Sequence, residues 1–86
     1  MYRVILSHDA QRFFDDADTP LQRKLDRCFD MLKGEPRHHP NIKPLKGRLD
    51  GYYRYRVGDW RVVYRVDSQK QIVYIPAIEH RSDAYR

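Results

Sequence analysis

Arg54, Arg56 and Arg61 are spaced so that a single β-hairpin would gather them on one surface. The first two alternate with aromatic residues in Tyr52-Tyr53-Arg54-Tyr55-Arg56-Val57, Gly58-Asp59 turns the chain, and Arg61 follows in Trp60-Arg61-Val62-Val63-Tyr64-Arg65-Val66. A two-residue loop of this type favours a tight hairpin in which Val57 pairs with Trp60. In that register Arg56 lies directly across from Arg61, Arg54 is one pair further along, and all three point the same way. The opposite face reads Tyr53, Tyr55, Val57, Trp60, Val62, Tyr64 and Val66, which is a core face. Like charges set opposite one another on a sheet cost roughly 1 kcal/mol at about 4 Å in water. A lone alternating arginine pair is explained by the solvated side of an amphipathic hairpin. Three on one face, with Arg65 further along the same strand, are better explained by a surface that holds phosphates, because a guanidinium fork pairs with two oxygens at once.

The setting agrees with an anionic partner. The chain has 86 residues and a formal charge of +5, with a pI near 9.6, which points to nucleic acid or an acidic protein without choosing between them. A length of this order supports one small domain, taken as residues 1–86, with little stability to spare. Cys28 is the single cysteine, so no internal disulfide forms and a reducing, intracellular compartment is the expected home. The apolar run at residues 1–6 is too short for a signal peptide and is followed at once by Ser7-His8-Asp9. The longest uncharged run, residues 71–78, is too short to span a bilayer. A soluble, cytoplasmic protein with no membrane partner is expected.

The elements that must position the arginines follow from the periodicity. Tyr2-Arg3-Val4-Ile5-Leu6 reads as a strand, and Ser7 or Asp9 can cap a helix carrying Ala10, Phe13, Phe14 and Ala17 at helical spacing. Thr19-Pro20-Leu21-Gln22 reads as a second helix start, with Thr19 as N-cap, Pro20 in the first helical position and Gln22 closing a capping box. Leu21, Leu25, Cys28, Phe29 and Leu32 form one apolar stripe that would pack on the aromatic face of the sheet, and Gly34 with Pro36 ends the helix. Residues 35–51, which include His38, His39, Lys43, Lys46 and Arg48, read as a structured connection. Adjacent histidines in an extended segment diverge and no third ligand lies at a suitable spacing, so no metal site is expected there. After the hairpin, Asp67-Ser68-Gln69-Lys70 is a turn and residues 72–78 are the last strand, in which Pro76 must fall at a bulge or an unpaired edge. The expected fold is α+β: an N-terminal strand, then two helices packed on a three-stranded antiparallel meander.

Two stretches of the sequence carry more than a fold class. Pro44-Leu45-Lys46-Gly47-Arg48-Leu49-Asp50-Gly51-Tyr52-Tyr53-Arg54-Tyr55-Arg56-Val57-Gly58-Asp59-Trp60-Arg61-Val62-Val63-Tyr64, followed by Ile78-Glu79-His80-Arg81-Ser82-Asp83-Ala84-Tyr85, resembles the RelE/ParE toxin superfamily of type II toxin-antitoxin modules. The order of strand, helix pair and meander matches that superfamily over nearly the whole chain. Ribosome-dependent mRNA endonucleases and DNA gyrase inhibitors share the first stretch.

The resemblance implies a toxin that binds in the decoding site of the ribosome, cuts the messenger RNA there and is neutralised by a cognate antitoxin. Such a cut uses the RNA's own 2′-hydroxyl to attack the adjacent phosphorus, so it requires no metal and no small-molecule cofactor. The protein must orient that hydroxyl, balance charge on the phosphorane-like transition state and help the 5′-oxygen leave. Arg54, Arg56 and Arg61 match the basic sheet positions of the superfamily and would clamp the phosphate oxygens. Arg81 would add a further phosphate contact. Arginine stays protonated at any working pH whereas histidine titrates near neutrality, so His80 is the expected proton carrier. Tyr85 matches the late tyrosine of the RelE branch and would donate a hydrogen bond, stack on a base or assist proton transfer. Lys46 and Arg65 would contact the RNA backbone.

The sequence departs from the superfamily at several of these positions. Some branches place lysines where Arg54 and Arg56 stand, another uses a glutamate base where Lys43 stands, and a late arginine of one branch is matched here by Glu79. Two other readings belong to different classes. One is a ParE-like gyrase inhibitor that does not cut RNA, against which the His80 and Tyr85 pair in the tail counts. The other is a noncatalytic basic module that binds only an antitoxin or RNA.

Overall fold

A computed structural model describes residues 1–82. They form a strand β1 (Arg3–Leu6), helices α1 (His8–Asp16) and α2 (Thr19–Gly34), and strands β2 (Ile42–Pro44), β3 (Tyr53–Val57), β4 (Trp60–Asp67) and β5 (Ile72–His80), with a 3₁₀ turn at Gly47–Leu49. The α+β class and the element order agree with the sequence, but the sheet is larger than a meander. Its order is β1-β5-β4-β3-β2, with β1 parallel to β5 and every other pair antiparallel. The segment taken as a connection supplies the edge strand β2. Three residues ending in a proline are too few to show an alternation, and only pairing with β3 makes them a strand.

The helix starts follow hydrogen-bond supply. Ser7, in extended backbone, accepts the Ala10 N–H at 3.1 Å and donates its hydroxyl to the Pro76 carbonyl at 2.8 Å. Of the two candidate caps for α1, Ser7 is therefore the one used, and it ties the helix to β5. For α2 the cap is Asp18 rather than Thr19: its carboxylate accepts the Leu21 N–H at 2.9 Å. A carboxylate satisfies the open N–H and also opposes the positive end of the helix dipole. The frame moves back by one, and Gln22, released from any capping box, donates its side-chain amide to the Phe14 carbonyl at 2.8 Å, closing the end of α1. The C-terminus of α2 stops because Glu35 is extended (φ −144°), the conformation favoured before a proline such as Pro36.

Leu25, Cys28, Phe29 and Leu32 of α2 bury against Tyr55, Val57, Val62, Tyr64, Val73 and Ile75 of the sheet, with Ala10 of α1 and Ile42 of β2 completing the core. Tyr64 is fully buried, and its hydroxyl donates to the Pro36 carbonyl at 2.7 Å, anchoring the segment after α2. Cys28 is fully buried and its thiol pKa is pushed well up by that burial. Pro76 sits in β5, between two paired strands, at a bulge: Val63 pairs with Ala77 but Arg65 pairs with Tyr74, so Ile75 and Pro76 together face Tyr64. The missing amide is thus accommodated where the ladder is interrupted.

Candidate functional site

The hairpin register is the one expected from sequence: Val57 pairs with Trp60 and Arg56 with Arg61. Gly58 makes this possible by taking φ +58° while Asp59 keeps a negative φ, the pattern of a II′ turn. The helices cover the aromatic face, and the arginines occupy the outer one. Two cross-strand rows build that outer face near the end of the sheet. One runs Lys43, Arg54, Val63, Ala77 and the other Arg56, Arg61, Glu79.

Lys43, Arg54, Arg56, Arg61 and Arg81, with Pro44, Leu45, Gly58, Trp60 and Ser82, line a groove of about 780 Å³. No carboxylate is among these lining residues. The cations are held to different degrees. Arg54 donates from Nη1 to the Asn41 carbonyl at 2.6 Å. Arg61 donates from Nε to Oε2 of Glu79 at 2.9 Å and its Nη2 forms an ion pair with the same oxygen at 2.9 Å, with its side chain only 21% exposed. Arg81 is anchored through its backbone, whose N–H donates to the Asp59 carbonyl at 2.8 Å, and its guanidinium lies 3.9 Å from the Asp59 carboxylate. Arg56 is exposed.

The expected site residues are gathered only in part. Arg54, Arg56, Arg61 and Arg81 converge on the groove. Arg65 shares the outer face but stands over the Tyr74 ring at 5.3 Å, and both line a separate concavity of about 540 Å³ beside the β4–β5 turn. Lys46 is exposed at the entry to the 3₁₀ turn and does not line the groove. Nor does His80. It pairs with Trp60, and residues directly opposite share a face, so it belongs to the side opposite Arg61 and Glu79. Its ring meets Trp60 edge-on at 4.9 Å, and its Nδ1 lies 2.8 Å from the Ser82 hydroxyl and 3.2 Å from the Ser82 N–H. Tyr85 lies outside the described residues.

Lys43 is the groove residue that the sequence reading did not select. The signal was the alternation of Ile42, buried, with Lys43, exposed, and it is meaningful only once β2 is known to be a strand. The paired histidines go separate ways: His38 Nδ1 lies 3.5 Å from Glu35, while the His39 ring stacks on Tyr55 at 5.3 Å.

Comparison with known proteins adds a family to this geometry. Residues 4–85 match the family described as the ParE toxin of the type II toxin-antitoxin system, parDE. The chain belongs to this family. With it the chain joins the RelE/ParE superfamily whose motifs the sequence resembles. This ParE-family chain is 41% identical over 44 residues to Toxin RelG of Mycobacterium tuberculosis, 51% of each chain. It is 38% identical over 61 residues to Toxin RelE of the same organism, 69% of this chain and 63% of that one. The matched stretches thus span between half and less than two thirds of those relatives' length. Among solved structures, the archaeal RelE–RelB complex from Pyrococcus horikoshii aligns with a TM-score of 0.81 at 26% identity, over 93% of this chain and 94% of that one. Among the described residues no helix is long and apolar enough to cross a membrane.

Proposed function

We propose that this chain is the toxin of a type II toxin-antitoxin pair and that it inhibits translation by cutting messenger RNA in the decoding site of the ribosome. The observation that carries this reading is the groove, in which five cations converge on a volume of about 780 Å³ with no carboxylate among the described lining residues. Arg54, Arg56 and Arg61 hold the phosphate oxygens around the scissile bond. They stabilise the negative charge that grows there as the 2′-oxygen attacks phosphorus and the 5′-oxygen departs. The products are a 2′,3′-cyclic phosphate and a 5′-hydroxyl, and the step uses neither metal nor organic cofactor.

Arg81 adds a contact at the groove mouth, and Lys43 supplies a compact charge beside Arg54. His80 adjoins groove-lining Arg81 in sequence, but its ring lies on the Trp60 side of β5, so it would serve as proton carrier only from outside the described groove lining; Tyr85 assists from the tail. Lys46 and Arg65 touch RNA away from the scissile phosphate. The protein partner is a cognate antitoxin, acidic where it covers the groove. The solved complex of the Pyrococcus horikoshii relative with RelB supports a partner of this kind.

The family description favours one alternative, a ParE-like toxin that acts on DNA gyrase without cutting RNA. Purified protein added separately to a translation extract and to a gyrase supercoiling reaction discriminates between them. Loss of intact message with normal supercoiling supports the RNA reading; blocked supercoiling with intact message overturns it.

A further inference from the structure

Glu79 is a carboxylate that pairs with a groove-lining arginine without itself being among the described residues that line the groove. Its Oε2 accepts a hydrogen bond from Nε of Arg61 and forms an ion pair with Nη2 of the same edge, each at 2.9 Å. That leaves the terminal edge of the guanidinium, with the N–H groups of Nη1, for another oxygen. On the far side of Arg61 stands Arg56, directly opposite in β3, whose charge repels it. A long side chain between a repelling neighbour and open solvent would swing among rotamers; one clamped along one edge does not.

The strand that brings Glu79 here is itself adjusted. Between Asp67 and Arg65 the pairing with β5 runs in one register, and beyond the Ile75–Pro76 bulge it is shifted by one residue. Without that extra residue Arg61 would face Ile78, and Glu79 would share a face with Trp60, because a slip of one residue exchanges the faces of a strand. The bulge therefore decides that a carboxylate meets Arg61.

We infer that Glu79 is a positioning residue: it aims the terminal fork of Arg61 into the groove and offsets the Arg56–Arg61 repulsion while the site is empty. This rests on the reading of the groove as a phosphate clamp. Glu79 touches neither phosphate nor the reacting atoms, and acts only through Arg61.

The test is Glu79→Gln, alone and combined with Arg61→Ala, with binding and cleavage measured separately. Binding is read with a single-stranded RNA carrying a 2′-deoxy block at the scissile position. Removal of one negative charge beside the clamp should tighten it, by about twofold at low salt. Single-turnover cleavage of message on programmed ribosomes should fall by roughly tenfold or more, as expected for a displaced catalytic fork. In the Arg61→Ala background Glu79→Gln should change cleavage no further. Unchanged or faster cleavage in Glu79→Gln, or an equal loss in the Arg61→Ala background, overturns the inference. A readout independent of activity is the Arg61 Nε–H resonance, expected to be resolved and slowly exchanging in the wild type and averaged with exposed arginines in Glu79→Gln. If the wild type cuts no RNA, the proposed function fails while this resonance still tests the positioning. If the resonance is identical in both proteins, the positioning fails whatever the wild type cuts.

Discussion

Arg56 and Arg61 stand directly opposite one another across the β3–β4 hairpin, yet Arg61 is clamped by Glu79 at 2.9 Å whereas Arg56 projects into solvent. Alanine at the two positions should therefore affect stability unequally. Arg56→Ala relieves a like-charge pair and should leave the melting temperature unchanged or raised, by at most about 1 kcal/mol in stability. Arg61→Ala strands the Glu79 carboxylate and should cost about 0.5–1 kcal/mol. Thermal melts of both variants check this, and a large drop for Arg56→Ala would reveal a structural partner for that side chain.

Tyr64→Phe should be the most costly single-atom change in the core. It removes the hydroxyl that donates to the Pro36 carbonyl at 2.7 Å in a fully buried site, leaving an acceptor without water or partner. A loss of about 1–2 kcal/mol is expected, read as a lower denaturation midpoint with an unchanged slope.

Acid should weaken the turn after α2. Glu35 accepts the backbone N–H groups of Arg37 and His38 at 2.8 and 3.2 Å. These bonds, the Arg37 one foremost, hold its pKa below the ordinary 4.5. A carboxyl depressed in the folded state contributes stability above its unfolded pKa and loses it as pH falls through the folded value. The stability difference between wild type and Glu35→Gln should thus be constant near neutrality and shrink once pH drops below about 4.5. A difference that persists unchanged into strong acid would show that the carboxylate charge contributes nothing.

Binding to single-stranded RNA should depend steeply on salt. With about four groove cations on phosphates, log affinity should fall against log salt with a slope of roughly −3, and Arg56→Ala should flatten it by about 0.7. A flat response in the wild type would remove the phosphate clamp.

What could be read from the sequence divides along physical lines. The β3–β4 register was legible because Gly58-Asp59 is a local turn signal and the apolar alternation on either side agrees with it. The core stripe of α2 was legible for the same local reason. The Asp18 cap was displaced by one position because Asp18 and Thr19 both qualify and only backbone geometry selects. β2 was hidden because its three residues become a strand only through pairing with distant β3. The Arg61–Glu79 pair and the separation of His80 from the arginines were hidden because a bulge in β5 sets both, and Pro76 signalled that a bulge or an edge was needed without saying which residues it would turn to which face.

The central claim is tested most directly by adding purified protein to a cell-free translation reaction and mapping the 5′ ends of the message, together with their chemistry. New ends within codons at the decoding site, bearing 5′-hydroxyls and appearing only while ribosomes translate, are the expected result. Their absence in Arg54→Ala and Arg56→Ala proteins that fold normally would tie the cut to the groove. An intact message at protein concentrations that still arrest growth in cells would contradict it.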